Sequence, residues 1–154
     1  MDRPITGFGI DDAGDWTATL SCGHRQHVRH KPPFENRPWV TTAAGRESRM
    51  GATLNCVRCD RFELPEPAAG IGRTPEFTER TLPEALRTKH ATAPGVWGLI
   101  VVTEGLVRYR VAALGVDRDL GPGVPGIVVP EVAHTVEPRG AVRMHVEFLR
   151  ARPR

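Results

Sequence analysis

The chain has 154 residues, 40% of them hydrophobic and 25% charged, with a formal net charge of +3. This is a globular composition with room for one ordinary domain or two small ones, and it excludes a fibrous or disordered chain. No stretch approaches the roughly 18 consecutive apolar residues of a bilayer span, and Met1-Asp2-Arg3-Pro4-Ile5 lacks the apolar core of a secretory signal, so a cytoplasmic protein with no membrane partner is expected. The 16 glycines and 14 prolines favour short strands and many turns over long helices, which gives a mainly β class.

In chain order, Ile5 to Leu20 has the pattern of a β-hairpin turning at Asp11-Asp12-Ala13-Gly14-Asp15. Its returning strand delivers Cys22 into Cys22-Gly23-His24-Arg25-Gln26-His27-Val28-Arg29-His30. Pro32-Pro33 and Arg37-Pro38-Trp39-Val40 then force an extended path. A helical turn fits Thr41 to Met50, and Ala52 to Asn55 runs extended into Cys56-Val57-Arg58-Cys59. These two clusters hold all 3 cysteines and three of the 6 histidines.

In a reducing compartment, three cysteines with one close pair point to metal ligands or redox thiols rather than disulfides. Cys-x-x-Cys is the spacing at which a tight turn aims two sulfurs at one ion, and zinc takes four tetrahedral donors of thiolate and imidazole type. Cys22, Cys56 and Cys59 would supply three of them, and His24 or His27 the fourth. A zinc staple suits a module this small, because structural zinc contributes about 10 to 16 kcal/mol of apparent binding free energy in such modules. A redox dithiol and inert buried thiols are the alternatives. No clear strand precedes Cys56 and no long helix follows Cys59, so a thioredoxin-like setting is missing. His30 reads as a surface histidine.

Cys22 to Arg61 carries eight Lys or Arg against Glu35, Glu47 and Asp60, a net +5 over forty residues. A nucleic-acid surface would need more aromatic interleaving than Phe34 and Trp39 provide, so a solvated basic face is favoured.

Leu64 to Gly72 shows no periodic apolar pattern and reads as a linker at 65–72, dividing a module at 1–64 from a domain at 73–154. Thr81 to Arg87 has a candidate cap, an early proline and good helix formers. Beyond it only strands and turns fit: Val96 to Thr103, Leu106 to Ala112, Gly126 to Val129, Ala133 to Val136 and Ala141 to Leu149, as in a small sandwich or barrel. Alternation places His134 inward with Val132 and Val136, and groups Arg143, His145 and Glu147 on the face opposite the apolar residues.

Two resemblances add to this reading. Arg3-Pro4-Ile5-Thr6-Gly7-Phe8, the Cys22 to His30 cluster, Pro32-Pro33, Arg37-Pro38-Trp39-Val40 and Cys56-Val57-Arg58-Cys59 together resemble a small bacterial domain family of unknown function, over about residues 3 to 64. Arg73-Thr74-Pro75-Glu76-Phe77-Thr78, Leu82-Pro83, Lys89-His90-Ala91-Thr92, Gly95-Val96-Trp97, Glu104-Gly105 and Val129-Pro130-Glu131-Val132-Ala133-His134 resemble the cupin-like domain of TehB-type tellurite-resistance proteins, over about residues 72 to 149. The second resemblance implies a single β-barrel of the jelly-roll type, often a holder of a divalent metal. It places His134 in the second metal motif and makes His90 the best candidate from the first. The usual His-x-His followed by Glu is absent, so Glu131, or the pair His145 and Glu147 turned inward, would have to complete the sphere.

The expected architecture is therefore mainly β: a small zinc-binding β module followed by one cupin-like β-barrel. The barrel's divalent metal would be zinc, iron, manganese or nickel. The leading functional expectation is binding or sensing of a small anion or metal in tellurite or oxidative stress. The alternatives are a metal-dependent cupin oxygenase or isomerase acting through His90, Glu131 and His134, and a nucleic-acid or protein-binding module. A homodimer through the barrel is also expected. Nothing in the chain resembles a methyltransferase, so methyl transfer is not expected of it.

Overall fold

The computed structural model describes residues 1–152. In the amino-terminal half, strands β1 (Asp2–Ile10), β2 (Trp16–Leu20), β3 (Arg25–His27) and β4 (Thr53–Asn55) form an antiparallel sheet in the order β3-β2-β1-β4. The hairpin turns on Asp11, whose carboxylate accepts from the backbone N–H of Ala13 at 3.0 Å and of Asp15 at 2.9 Å. Gly14 takes the positive φ of 81° that closes this turn at little steric cost. Helix α1 (Ala43–Glu47) is capped by Thr42, whose hydroxyl accepts from the Gly45 N–H at 3.1 Å. Its Arg46 guanidinium lies 3.6 Å from the centre of the Trp16 ring, which packs the helix against the sheet. One further turn, α2 (Val57–Asp60), follows β4 and carries Cys59.

The carboxyl-terminal half comprises β5 (Ala68–Arg73), β6 (Phe77–Thr78), helix α3 (Glu84–Arg87), β7 (Trp97–Glu104), β8 (Val107–Val111), β9 (Val116–Leu120), β10 (Gly126–Val128), β11 (Thr135–Pro138) and β12 (Arg143–Ala151). One antiparallel sheet runs β10-β7-β12-β5, with β6 also on β12, and a second runs β11-β8-β9. Ile100, Val102, Met144 and Val146 of the first sheet and Val107, Tyr109, Val111 and Val136 of the second are buried in the core. The Tyr109 hydroxyl reaches across to donate to the Ile127 carbonyl at 2.8 Å. Burial raises its pKa well above the ordinary value.

The structure departs from two expectations and adds one strand. Residues expected to be a linker, 65–72, instead supply most of edge strand β5, paired with β12 through Ala68, Ala69, Gly70 and Gly72. β9 adds a strand where the pattern predicts none, because Asp117, Arg118 and Asp119 between Val116 and Leu120 mask any alternation. The carboxyl-terminal sheets stay open or curled: among the described residues no strand ladder joins them into one closed barrel.

The two halves share one hydrophobic core. Trp97, at the start of β7, is fully buried, and its indole N–H donates to the Cys22 carbonyl at 2.7 Å. Arg3, also buried, donates to the Pro130 carbonyl at 2.7 Å and to Glu131 Oε2 at 3.1 Å.

Candidate metal centre

Cys22 and His24 flank a tight turn between β2 and β3. The Gly23 N–H donates to the Leu20 carbonyl at 2.8 Å and the Leu20 N–H to the His24 carbonyl at 2.9 Å. Gly23 is needed here, since its φ is +88° and a Cβ would collide with that of Ala151. Cys56 stands at the N-cap of α2 and Cys59 lies within it, and the Cys59 N–H donates to the Cys56 carbonyl at 3.2 Å. The Cys56 N–H is held by the Met1 carbonyl at 2.7 Å, which fixes this turn against the sheet.

The result is a buried group of Cys22, His24, Cys56 and Cys59 whose donor atoms all lie within 4.8 Å of one another. His24 Nδ1 lies 3.5 Å from Cys22 Sγ, 3.3 Å from Cys56 Sγ and 3.7 Å from Cys59 Sγ, and the Cys22 and Cys56 sulfurs are 3.9 Å apart. A tetrahedral ion with bonds of about 2.3 Å to sulfur and about 2.0 Å to nitrogen requires edges of roughly 3.8 Å between sulfurs and roughly 3.5 Å from sulfur to nitrogen. The four side chains fit such an ion.

Their electrostatics agree. A hydrogen bond from the Cys59 thiol, opposed by burial and aided by one from His24, lowers the Cys22 pKa to about 4. Cys59 is pushed up because its proton is held on Cys22 and because it is buried, and burial pushes Cys56 up as well. Burial and mutual repulsion thus oppose loss of the protons from all three thiols together. A divalent cation can replace those protons.

His24, and not His27, faces the three thiols. His27 lies at the far end of β3, about 10 Å further along an extended strand. Its ring is half exposed, with Nε2 2.7 Å from Asp11 Oδ2. That hydrogen bond holds the Asp11 carboxyl below its usual range. The residue missed by sequence reasoning is Trp97. Its ring packs edge-to-face against His24, with centres 5.3 Å apart, while its N–H holds the carbonyl of Cys22. A tryptophan 73 positions beyond His24 carries no sequence signal for this role.

The carboxyl-terminal candidates do not converge. His90 and His134 exchange backbone hydrogen bonds of 3.1 and 2.8 Å, with ring centres 5.6 Å apart, beside a small apolar cavity of about 30 Å³. His134 Nδ1 sits 3.2 Å from the Val132 carbonyl, and burial lowers its pKa. Glu131 adopts a φ of +62° and sends its carboxylate to Arg3. His145 and Glu147 pair with each other at 3.1 Å, on strand positions alternating with the buried Met144 and Val146. Among the described residues no third donor joins His90 and His134.

A small antiparallel sheet holding a buried three-cysteine, one-histidine cluster, docked on a two-sheet β domain, defines a two-module β protein whose one fully buried candidate metal centre among the described residues is that cluster, the other potential ligand group, Asp11, Asp15 and His27, being partly exposed. Residues 6–63 match the family described as a protein of unknown function, DUF3565, and residues 72–146 match the TehB-like domain. Over more than half of its length the chain is similar in fold to two crystal structures. One is a protein of Escherichia coli K12, at 21% identity and a TM-score of 0.55 over 59% of this chain and 98% of that one. The other is TehB from Haemophilus influenzae, at 22% identity and a TM-score of 0.51 over 56% of this chain and 32% of that one. None of the curated proteins compared with the chain matches it significantly. No helix among the described residues is long and apolar enough to cross a membrane.

Proposed function

We propose that this chain is a zinc-stapled cytoplasmic protein whose TehB-like half, a cupin-type jelly roll, binds or senses a small anion in chemical stress such as exposure to tellurite or oxidants. The observation that carries the metal half of this reading is the convergence of four buried donors at the edge lengths of a tetrahedral ion. All four positions are filled by protein, which is the closed arrangement of a structural zinc rather than a catalytic one. The stress setting and the cupin class extend from the TehB-like domain.

The enzyme alternative loses its third ligand, because Glu131 is engaged by Arg3. The purified full chain, analysed for metal by elemental analysis, should carry one zinc per chain, and Cys59→Ser should carry none. A metal-free parent protein that retains its fold would overturn the zinc reading.

A further inference from the structure

Several arginines on this molecule are neutralised by a neighbouring carboxylate: Arg29 by Asp15, Arg58 by Glu63, Arg108 by Asp117, Arg110 by Glu137 and Arg143 by Glu76. The groove between the two halves, about 500 Å³ in volume, gathers three arginines of the other kind. Arg25 lines it from the amino-terminal sheet, and Arg150 and Arg152 line it from the end of β12 and just beyond. Among the described residues none of these three guanidinium groups has a carboxylate within 4.0 Å. Glu66 is the one acidic residue in the lining, so the groove keeps a formal charge of +2. Arg25 is also oriented, because its Nη2 donates to Thr17 Oγ1 at 2.7 Å.

The rest of the wall differs in kind. Phe8, Leu20, Pro67 and Ala151 give it an apolar surface, and Ser21 adds a buried hydroxyl with no hydrogen-bond partner among the described residues. Gly23 and Gly95 leave the backbone uncovered along the same crevice. An apolar wall with a few convergent polar groups is how small-molecule sites are built, and the guanidinium fork matches carboxylate and phosphate oxygens in pairs.

We propose that this groove binds a small organic anion, a carboxylate or phosphate ester whose charged group is held by Arg25, Arg150 and Arg152 while its apolar body lies on Phe8, Leu20 and Pro67. The proposal deepens the anion-binding reading above by giving the ligand a site between the halves rather than inside the carboxyl-terminal domain. The groove also shares Gly23 with the turn that presents Cys22 and His24, so the metal staple shapes one of its walls.

The test is calorimetric titration of the full chain with phenyl phosphate and with inorganic phosphate, with zinc content measured on the same samples. Phenyl phosphate should bind saturably and about tenfold or more tighter than inorganic phosphate, and Arg150→Gln and Arg152→Gln should each weaken it by about three- to tenfold. Both of these side chains are exposed, so the variants should fold. The triple variant with Arg25→Gln should abolish binding, with its fold checked by circular dichroism. Equal affinity for the two probes means an adventitious ion only and overturns the proposal. So does an affinity unchanged by the arginine variants, or no saturation by about 10 mM. Full zinc with no binding overturns the groove alone, whereas binding without zinc overturns the metal reading alone.

Discussion

The two halves of this chain offer similar ligand sets and treat them in opposite ways. In the amino-terminal module, two turns bring Cys22, His24, Cys56 and Cys59 into one buried group. In the carboxyl-terminal domain, His90 and His134 meet through their backbones, while Glu131 is drawn away by a buried arginine from the other half. The difference lies in what each side chain is left to do. The three cysteines have no competing partner, so only a cation can stabilise their thiolates together. Glu131 already has a cation, and removing it to serve a metal would leave Arg3 buried without a carboxylate.

The sharpest way to break this contrast is to delete a thiol. Cys22→Ser or Cys59→Ser should lose the metal and, with it, a large part of the about 10 to 16 kcal/mol that structural zinc supplies in small modules, seen as a collapsed melting transition. His90→Ala with His134→Ala should leave zinc content unchanged, and loss of zinc in that variant would contradict the assignment.

Trp97 joins the regions, and its replacement should have the next largest effect. Trp97→Ala should cost about 3 to 5 kcal/mol in denaturant unfolding through the cavity it leaves. Trp97→Phe, which keeps a ring but loses the bond to the Cys22 carbonyl, should cost only about 1 to 2 kcal/mol.

Glu131→Gln sharpens the comparison from the other side. Its side chain is 42% exposed, so solvent screening limits the loss to about 1 kcal/mol or less, with zinc content unchanged.

The smallest expected effect is pH-dependent. Burial holds the pKa of His134 below its ordinary value, so the unfolded chain binds the proton more readily than the folded one. This contribution to stability is full above about pH 6.5 and is lost as pH falls through the folded pKa. Proton NMR should show the His134 ring titrating below the usual imidazole range, and His134→Phe should flatten the difference in stability between pH 7 and pH 5.

Much of this was legible from short-range pattern. Cys-x-x-Cys lies within one turn, so its spacing points to two ligands for one ion, with Cys22 and a nearby histidine as the expected remainder, and the hairpin announces itself through Asp11 and Gly14. The choice of His24 over His27 was not legible, because it depends on where β3 begins. Nor was β5: Ala68 to Arg73 has two glycines and little apolar character, and it forms a strand because β12 offers it an edge. The fate of Glu131 was hidden for a similar reason. Its partner, Arg3, lies 128 residues away and reaches it only once the two halves have docked.

The most direct test of the central claim is zinc K-edge X-ray absorption on the purified full chain. The account predicts one zinc with three sulfur neighbours at about 2.3 Å and one nitrogen at about 2.0 Å. A shell of nitrogen and oxygen alone, or zinc whose sulfur signal survives Cys59→Ser unchanged, would contradict it.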